Sequence, residues 1–278
     1  MGQILWLASY PKSGNTWVRA FLHNLFTNSQ TPFDINKMSE LTHGDSNAKW
    51  FNANDGVPVN ELSPTEIANR RYAAHTRLSQ TASDVVLVKT HNAMVEQGGE
   101  PMISGSLTGG AIYIIRNPLD VVCSYADHLG VEIDKMIDAM EQKTFHSPST
   151  STHVSEIYCD WSTHVKSWTY KKNPAVHVVR YEDMNLHPIA TFLNITKFIG
   201  LKPPRERLRR AIKFSSFKVL RAQEKQKGFI EKTPVQKNFF RQGSTNGWKK
   251  ILSDKQVSRI IDYHRDQMQK FDYLPKDL

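Results

Sequence analysis

The sequence is poor in cysteine and has no long apolar segment. Its two cysteines, Cys123 and Cys159, form no Cys-x-x-Cys pair, and no cluster of histidine and cysteine has the spacing of zinc ligands. A disulfide framework is therefore not expected, and the expected location is a reducing compartment, the cytoplasm. No apolar run approaches the ~18 residues that span a bilayer. No signal peptide is expected, because the first strand-like run begins at Ile4.

Acidic residues are outnumbered by basic ones, which gives a formal net charge of +9. This balance favours an acidic ligand, a polyanion or a membrane surface, and it is equally compatible with an ordinary basic enzyme. The length of 278 residues suits one domain with insertions, spanning 1–278. One basic run on a predicted helix is interpreted as a solvated face rather than a polyanion site. It consists of Arg205, Arg207, Arg209, Arg210 and Lys213.

Four short apolar runs are rich in β-branched residues and lack polar alternation, which is typical of strands buried on both faces of a parallel sheet. They are residues 4–8, 85–88, 111–115 and 176–179. Amphipathic helical patterns run from Val18 to Leu25, from Pro118, from Pro188 to Gly200 and from Ser253. The alternation predicts an α/β fold, a single domain with a central parallel sheet flanked by helices.

Each predicted strand runs directly into charged or hydroxylated residues. The following segments are YPKSGNTW (10–17), KTHN (89–92), RNPLDVVCSY (116–125) and RYEDM (180–184). Sheets of this class bind ligands at the carboxyl ends of their strands, so these segments define one candidate site. Residues 29–84 and 129–157 are instead rich in Asn, Ser, Thr, Gly and Pro. They are predicted to form loops or short helices over the sheet.

The turn at 10–17 leads from a buried strand into an amphipathic helix. Backbone N–H groups at a helix N-terminus bind anions, and Gly14 allows a ligand to approach closely. Lys12 adds a positive charge, while Ser13, Asn15 and Thr16 add hydrogen-bond donors. The pattern is like a phosphate-binding loop but is not GxxxxGK[ST], because the lysine precedes the glycine. An ordinary strand–helix turn is the alternative.

Two other predicted strand ends carry cations. Lys89 and Arg116 stand where a nucleoside-triphosphate enzyme would place a carboxylate to hold magnesium. The sequence therefore predicts an anion site without a metal.

The string YPKSGNTW resembles the 5′-phosphosulfate loop of the cytosolic-type sulfotransferases, usually YPKSGTTW. Four later segments resemble that family in the same order. They are IIRNPLDVVCSY (its 3′-phosphate segment), RYEDM (its adenine contact), SSF at 215–217 (its Thr-Ser-Phe adenine clamp) and FRQGSTNGWK at 240–249 (its loop over the 3′-phosphate). The resemblance spans residues 4 to about 252. The short chain and the DHLG continuation at 127–130 are more similar to bacterial members, including those that modify natural products.

The resemblance implies binding of the sulfuryl donor 3′-phosphoadenosine 5′-phosphosulfate (PAPS), with PAP as product. Arg116, Ser124 and Arg241 would bind the 3′-phosphate, for which the planar guanidinium is suited. The alternatives are a salt bridge from Arg116 to Asp120 and a solvated charge at Arg241. Trp17 and Phe217 would sandwich the adenine. The other implied contacts are Lys12, Ser13, Gly14, Asn15, Thr16, Tyr181, Ser215, Gln242 and Gly243.

His91 occupies the position of the family's catalytic base, which takes the acceptor's proton as the acceptor oxygen attacks sulfur. The resemblance also implies that Lys12 neutralises the charge of the leaving phosphate and that Lys89 neutralises the charge of the sulfuryl oxygens. Ser124 would hold Lys12 away from the bridging oxygen until the acceptor arrives. The reserve candidates for the base are His75 and His128.

Some positions depart from the family pattern. Gln242 replaces a lysine, and Thr245 and Asn246 stand where glycine and aspartate are usual. The dimerisation signature of animal members is not recognisable in 250–260, so the chain is expected to be a monomer or a homodimer. Residues 225–237 resemble the family's closing loop and are predicted to be a mobile lid, which extends to about 245.

The sequence thus predicts a PAPS-dependent sulfotransferase that acts on a small alcohol, phenol or amine, without metal, nucleic-acid or membrane partners. The alternatives are a metal-dependent nucleotide kinase and a non-catalytic binder of heparin or nucleic acid. The acceptor pocket is expected among the two insertions and the lid. Four aromatic residues indicate either an apolar acceptor or core packing: Phe33, Trp50, Phe51 and Tyr72.

Overall fold

A five-stranded sheet lies at the centre of the fold. The computed structural model describes residues 2–53, 55–241 and 243–275. The described residues form the strands β1 (Gln3–Ser9), β2 (Thr42–Gly44), β3 (Val85–Thr90), β4 (Glu96–Gln97), β5 (Glu100–Pro101), β6 (Thr108–Ile115) and β7 (Val176–Arg180). The strand order is β2-β3-β1-β6-β7, and β4 and β5 form a separate antiparallel pair. Each of the four predicted strands is present and extends beyond its predicted bounds.

Parallel pairing sets the register of the strands that lead into the candidate site. β3 pairs in parallel with both β1 and β2, and Leu7 lies opposite Lys89. Ala8 lies opposite Thr90, so β1 and β3 end side by side.

The helices are α1 (Asn15–Thr27), α2 (Pro64–Ser79), α3 (Pro118–Leu129), α4 (Ile133–Met140), α5 (Trp161–Thr169), α6 (Tyr181–Leu186), α7 (Pro188–Phe198), α8 (Arg205–Phe214), α9 (Phe217–Lys227) and α10 (Asp254–Lys270). The predicted starts at Pro118 and Pro188 and the cap at Ser253 are confirmed. Together with the sheet, these helices confirm the predicted α/β fold with a central parallel sheet. Within the described residues, no helix is both long enough and apolar enough to cross a membrane.

The expectation of loops or short helices in 29–84 is wrong for α2, which has 16 residues. A capping box starts this helix: the Ser63 hydroxyl accepts from the Glu66 N–H, and the Glu66 carboxylate accepts from the Ser63 N–H. Pro64 stands at the first helical position, where its missing N–H costs nothing. The second insertion contains the eight-residue α4, a short helix as expected.

The chain forms two compact units, each made of three segments. The first unit consists of Met1–Tyr10, Thr42–Tyr113 and Met140–Val178. The second consists of Pro11–Leu41, Ile114–Ala139 and Val179–Leu278.

Each unit has its own packed interior. In the first, the fully buried Trp6 donates its indole N–H to the Thr108 hydroxyl and contacts the edge of the His75 ring. In the second, one apolar cluster combines residues of α1, the 35–40 segment, α9 and the segment after α9: Ala20, Ile35, Met38, Leu220, Phe229 and Phe240. The two cysteines are buried free thiols, which agrees with the expectation of no disulfide.

The basic run lies on α8, and only part of it is a solvated face. Arg205, Arg209 and Lys213 are exposed, as predicted. Arg207 instead donates to the Leu25 carbonyl, and Arg210 donates to the Asn28 side chain. Both arginines therefore bind the C-terminal end of α1, where a positive charge stabilises the helix dipole.

Candidate active site

In the second unit, the turn after β1 has a backbone that only certain residues accept. Gly14 is the N-cap of α1 with φ of +105°, and its carbonyl accepts from the N–H groups of Trp17 and Val18. A Cβ on Gly14 would lie 2.6 Å from a ring carbon of Tyr181. Glycine is therefore required both for its left-handed backbone and for the close approach of the tyrosine. Lys12 also has a positive φ, +65°, which is uncommon for a residue with a side chain.

Buried hydrogen-bond donors surround this turn. The Ser13 hydroxyl and the Trp17 indole N–H are buried and have no hydrogen-bond partner within the described residues. Buried polar atoms normally have a partner, so such atoms indicate that an acceptor belongs nearby. A helix N-terminus with unsatisfied donors fits a phosphate group.

Arg116 follows β6 and contacts the same turn. Its Nη1 donates to the Lys12 carbonyl (3.1 Å) and its Nη2 to the Ser244 carbonyl (3.3 Å). The guanidinium carbon lies 4.2 Å from the centroid of the Tyr181 ring, and the Nε is buried without a partner. The guanidinium group thus lies beside the turn.

The considered alternative, a salt bridge from Arg116 to Asp120, is not made within the described residues. Both oxygens of Asp120 instead accept backbone hydrogen bonds, from Asn246 (2.8 Å) and Trp248 (3.1 Å). Asp120 therefore anchors the loop that follows Phe240 to α3.

A second anchor lies further along α3. The Arg241 guanidinium is 3.2 Å from the Asp127 carboxylate, and both side chains are about one-third exposed. Arg241 is thus ion-paired rather than an isolated solvated charge. Ser124 lies one turn after Asp120 and three residues before Asp127, which places it on the helix face that carries both anchors. Gln242 lies outside the described residues.

The structure gives the two predicted adenine-stacking residues different neighbours. Trp17 contacts the edges of Tyr181 (5.5 Å between ring centroids) and Phe192 (5.9 Å). Phe217 lies 6.2 Å from Phe240, and its ring leaves no room for a Cβ on Gly243. Burial raises the pKa of Tyr181, and the charge of Arg116 opposes this effect.

The side chain of Ser215 is used inside its own helix. Its hydroxyl donates to the carbonyls of Ala211 and Ile212 at the end of α8. The hydroxyl proton is therefore used within the helix, and towards a ligand the hydroxyl oxygen could only accept a hydrogen bond.

The predicted lid, 225–237, is packed against the rest of the second unit. Glu231 forms an ion pair of 2.7 Å with the buried Arg19. The Thr233 hydroxyl donates to the His128 carbonyl, and Gln236 is hydrogen-bonded to the His128 ring. His128, a reserve candidate for the base, thus takes part in holding the lid.

In the first unit, the ring of His91 has a defined orientation. Its Nδ1 lies 2.8 Å from the carbonyl oxygen of Ser9, at the end of β1. A carbonyl can only accept, so Nδ1 carries the proton and Nε2 is the basic nitrogen.

The backbone of His91 is fixed from both sides. Its N–H donates to Glu156 (3.3 Å), and its carbonyl accepts from the Nε2 of His164 (3.1 Å). Burial lowers the pKa of His164 to about 3, so this ring is neutral, and its Nδ1 accepts from the Tyr113 hydroxyl. His75, the other reserve candidate, is fully buried beside Ser104, and burial lowers its pKa to about 3.

Lys89 is the penultimate residue of β3, two residues before His91. Its carbonyl accepts from the Asp45 N–H (3.1 Å), and its side chain is half-buried. The pKa of His153 is lowered, first by burial and then by the charge of Lys89. The ammonium group therefore lies close to the 146–157 segment of the second insertion.

A cavity of about 250 Å³ lies in the first unit. Its walls include Leu62, Ile67, Gln97, His146, Ser155 and Ile157. The lining combines apolar side chains with hydroxyl and amide groups. Ser155 and Ile157 flank Glu156 in the chain, so the cavity wall is one residue from the group that binds the His91 backbone. Of the four aromatic residues considered for an acceptor, Phe51 is core and Tyr72 is mostly exposed.

A substitution at Gly14 tests the geometry of the turn. Gly14→Ala is expected to weaken PAP binding about tenfold or more, because left-handed strain of this kind costs about 1–3 kcal/mol and 1.4 kcal/mol is a factor of ten. Isothermal titration measures the effect. The matched control is Gly200→Ala, at a similarly positive φ of +76° with no atom within 4 Å of the new Cβ. Equal affinities for the two variants would contradict a role of the Gly14–Tyr181 contact.

Comparison with known proteins identifies the class. The family model described as Sulfotransferase domain matches residues 3–272, which include both compact units. Rat (Rattus norvegicus) sulfotransferase 2A2 is 25% identical over 273 residues, covering 95% of this chain and 84% of that protein. Flavonol 3-sulfotransferase of Flaveria bidentis is 24% identical, covering 92% of this chain and 78% of that protein.

Solved structures share the fold. A retinol dehydratase in complex with androsterone and inactive cofactor PAP superposes with a TM-score of 0.68 at 16% identity, covering 99% of this chain and 83% of that one. Mouse sulfotransferase SULT7A1 complexed with PAP superposes with a TM-score of 0.61 at 18% identity, covering 97% of this chain and 86% of that one. The chain belongs to the sulfotransferase domain family, and the predicted enzyme class, a sulfotransferase, is confirmed. In the described part of the chain, no group of three or more His, Cys, Asp or Glu side chains is arranged to hold a metal ion.

Proposed function

We propose that this enzyme transfers the sulfuryl group of PAPS to the hydroxyl or amine of a small molecule and releases PAP. The observation that carries the proposal is the set of buried hydrogen-bond donors without acceptors at the turn before α1. These are the Ser13 hydroxyl, the Trp17 indole and the Nε of Arg116. They suit phosphate oxygens, and the family match and the relatives with PAP bound support the same ligand.

The second unit binds the nucleotide in this proposal. The backbone of 12–17 receives the 5′-phosphate, and Arg116, Ser124 and Arg241 receive the 3′-phosphate. Arg241 can exchange partners because its ion pair with Asp127 is partly exposed, and such pairs contribute only about 0–1 kcal/mol. Trp17 and Phe217 stack on the adenine, and Tyr181, Ser215 and Gly243 bind on the same side of the nucleotide. Gln242, which lies outside the described residues, stays a predicted nucleotide contact from the sequence.

His91 acts as the general base. Its Nε2 takes the proton of the acceptor as the acceptor oxygen or nitrogen forms a bond to sulfur. The bond between sulfur and the 5′-phosphate oxygen breaks, and its electron pair stays on that oxygen. Lys89 stabilises the charge on the sulfuryl oxygens and Lys12 that on the departing phosphate. Lys12 follows Ser9, the partner of the His91 ring, by three residues in the chain.

The cavity in the first unit is the proposed acceptor site. Its lining comes mainly from the two insertions expected to form it, and its size suits a small alcohol, phenol or amine. We also propose that the chain is a single domain over 1–278 with a lid at 225–245. The protein would be a cytoplasmic monomer or homodimer of the bacterial small-molecule subtype.

A transfer assay with labelled PAPS tests the function. We expect sulfated product from members of a panel of alcohols, phenols and amines, without added magnesium. A thermal-shift comparison separates the alternatives: PAP should stabilise the protein, whereas ATP with magnesium should not. Stabilisation by ATP–magnesium alone would indicate a nucleotide kinase. Binding only to heparin or nucleic acid, with a steep salt dependence, would indicate a polyanion binder.

A further inference from the structure

Arg71 of α2 is a buried cation without hydrogen bonds. The residue is 1% exposed, and its Nε, Nη1 and Nη2 have no hydrogen-bond partner within the described residues. The guanidinium carbon lies 5.3 Å from the centroid of the Phe51 ring. A buried charge is costly unless opposite charges compensate it, so Arg71 requires acidic neighbours.

Asp45 and Glu156 are these acidic neighbours. Burial lowers the pKa of Arg71, and the negative charges of Asp45 and Glu156 raise it. Asp45 is completely buried, and its pKa is raised to about 6 by burial and by Glu156, while Arg71 opposes the rise. The three side chains therefore form one charge cluster, Asp45, Arg71 and Glu156, in which Asp45 and Arg71 are buried and Glu156 is half-buried.

Both carboxylates of the charge cluster bind the segment that carries the catalytic base. Glu156 accepts from the His91 N–H (3.3 Å). Asp45 accepts from the Asn92 side chain (2.9 Å), and its own N–H donates to the Lys89 carbonyl (3.1 Å). The cluster thus contacts three of the four residues from 89 to 92, on backbone and side-chain atoms.

We propose that Asp45, Arg71 and Glu156 are positioning residues for sulfuryl transfer, which hold the 89–92 segment so that His91 presents Nε2 to the acceptor. This inference rests on the proposed role of His91 as base. Arg71 acts through the two carboxylates: its charge compensates theirs, and they in turn bind the His91 backbone N–H and the Asn92 side chain. The ring then keeps its Nδ1–H on the Ser9 carbonyl.

The proposal predicts a specific kinetic pattern. Removing the charge of Arg71 leaves the buried Asp45 without a compensating cation, so Asp45 takes up a proton more readily and the hold on 89–92 weakens. A misplacement of about 1 Å in a catalytic group costs about 100-fold in rate. The kcat should therefore fall, while the affinity for PAP should not change, because PAP lacks the sulfuryl group and the contacts proposed for its phosphates and adenine belong to the other compact unit.

The experiment compares Arg71→Met with Arg70→Met. Arg70 is the adjacent residue of α2, but it binds Asp55 and the Phe51 carbonyl and has no link to 89–92. We expect Arg71→Met to lower kcat about 100-fold, with the affinity for PAP unchanged, and Arg70→Met to leave both near wild type. Glu156→Ala should reproduce the loss, and Glu156→Gln should restore most of the activity, because its amide oxygen can still accept from His91.

A second readout does not depend on turnover. In protein labelled with ¹⁵N-histidine, the Nδ1 and Nε2 shifts of His91, assigned with His91→Gln, report the tautomer. Arg71→Met should convert a single Nδ1–H tautomer into a mixture. An unchanged tautomer together with unchanged kcat would overturn the proposal.

Two further outcomes are also decisive. If Arg71→Met does not fold, Glu156→Ala decides, and wild-type kcat and tautomer in that variant overturn the proposal. If the wild type sulfates no acceptor, the proposed function fails, while the tautomer measurement still tests the positioning of His91.

Discussion

Replacing His91 with alanine is expected to lower kcat by about 10²–10⁴-fold, the usual contribution of a well-placed general base. The reason lies in the ring orientation: Nδ1 donates to the Ser9 carbonyl, which leaves Nε2 as the nitrogen that accepts a proton. Affinity for PAP should be unchanged, because no proposed nucleotide contact involves His91. Steady-state kinetics with labelled PAPS and titration with PAP measure the two effects separately.

The control for His91 is another histidine. His187→Ala removes an exposed ring that no catalytic role requires, so its kcat should equal that of the wild type. If His91→Ala kept wild-type turnover, His91 would be removed from the mechanism. A large loss of PAP affinity in the same variant would instead assign His91 to nucleotide binding.

The second large effect is expected at Arg116. Arg116→Ala should weaken binding of PAP by about 100-fold, because losing one partner of a charged contact typically costs about 2–5 kcal/mol. Binding of AMP, which lacks the 3′-phosphate, should change much less. The comparison of two ligands is needed because Arg116 also binds the Lys12 and Ser244 carbonyls, so its removal disturbs the turn for both.

Arg116→Lys provides the matched variant. It keeps the positive charge but cannot reproduce the planar, forked contact, so PAP affinity should be intermediate between alanine and wild type. Equal losses of PAP and AMP affinity in Arg116→Ala would show that the arginine supports the turn and does not recognise the 3′-phosphate.

The strands and the positions of the site residues along the chain could be predicted from the sequence. Continuous apolar runs are a local signal, and polar residues after each run mark the strand ends, so Lys12, Lys89, His91 and Arg116 could be placed next to β1, β3 and β6. The capping pattern of α2, Ser63-Pro64-Thr65-Glu66, is also local. It would have identified that helix, but the polar composition of 29–84 favoured a loop interpretation.

The contacts that orient the site could not be predicted in this way. Asp45, Arg71 and Glu156 are far apart in the sequence, and each alone has the pattern of an ordinary surface charge. Their proximity follows from the packing of α2 and the 153–158 segment, which no local pattern encodes. The Ser215 hydroxyl illustrates the same limit, because its hydrogen bonds to α8 depend on where that helix ends.

The loop after Phe240 was the least predictable part of the nucleotide site. Its departures from the family pattern at 242, 245 and 246 give no indication of how it is held. The structure shows that α3 supplies the anchors, through Asp120 to the backbone of Asn246 and Trp248 and through Asp127 to Arg241. Asp120, which was considered as an ion-pair partner for Arg116, therefore accepts hydrogen bonds from backbone N–H groups instead.

A crystal structure of the PAP complex is the most direct test of the nucleotide site. The 5′-phosphate should lie at the N-terminus of α1, within hydrogen-bond distance of the Ser13 hydroxyl and the backbone of 13–16. The 3′-phosphate should lie within hydrogen-bond distance of the Arg116 guanidinium. A structure in which PAP binds elsewhere, or in which its 3′-phosphate points into solvent away from Arg116, would contradict the account.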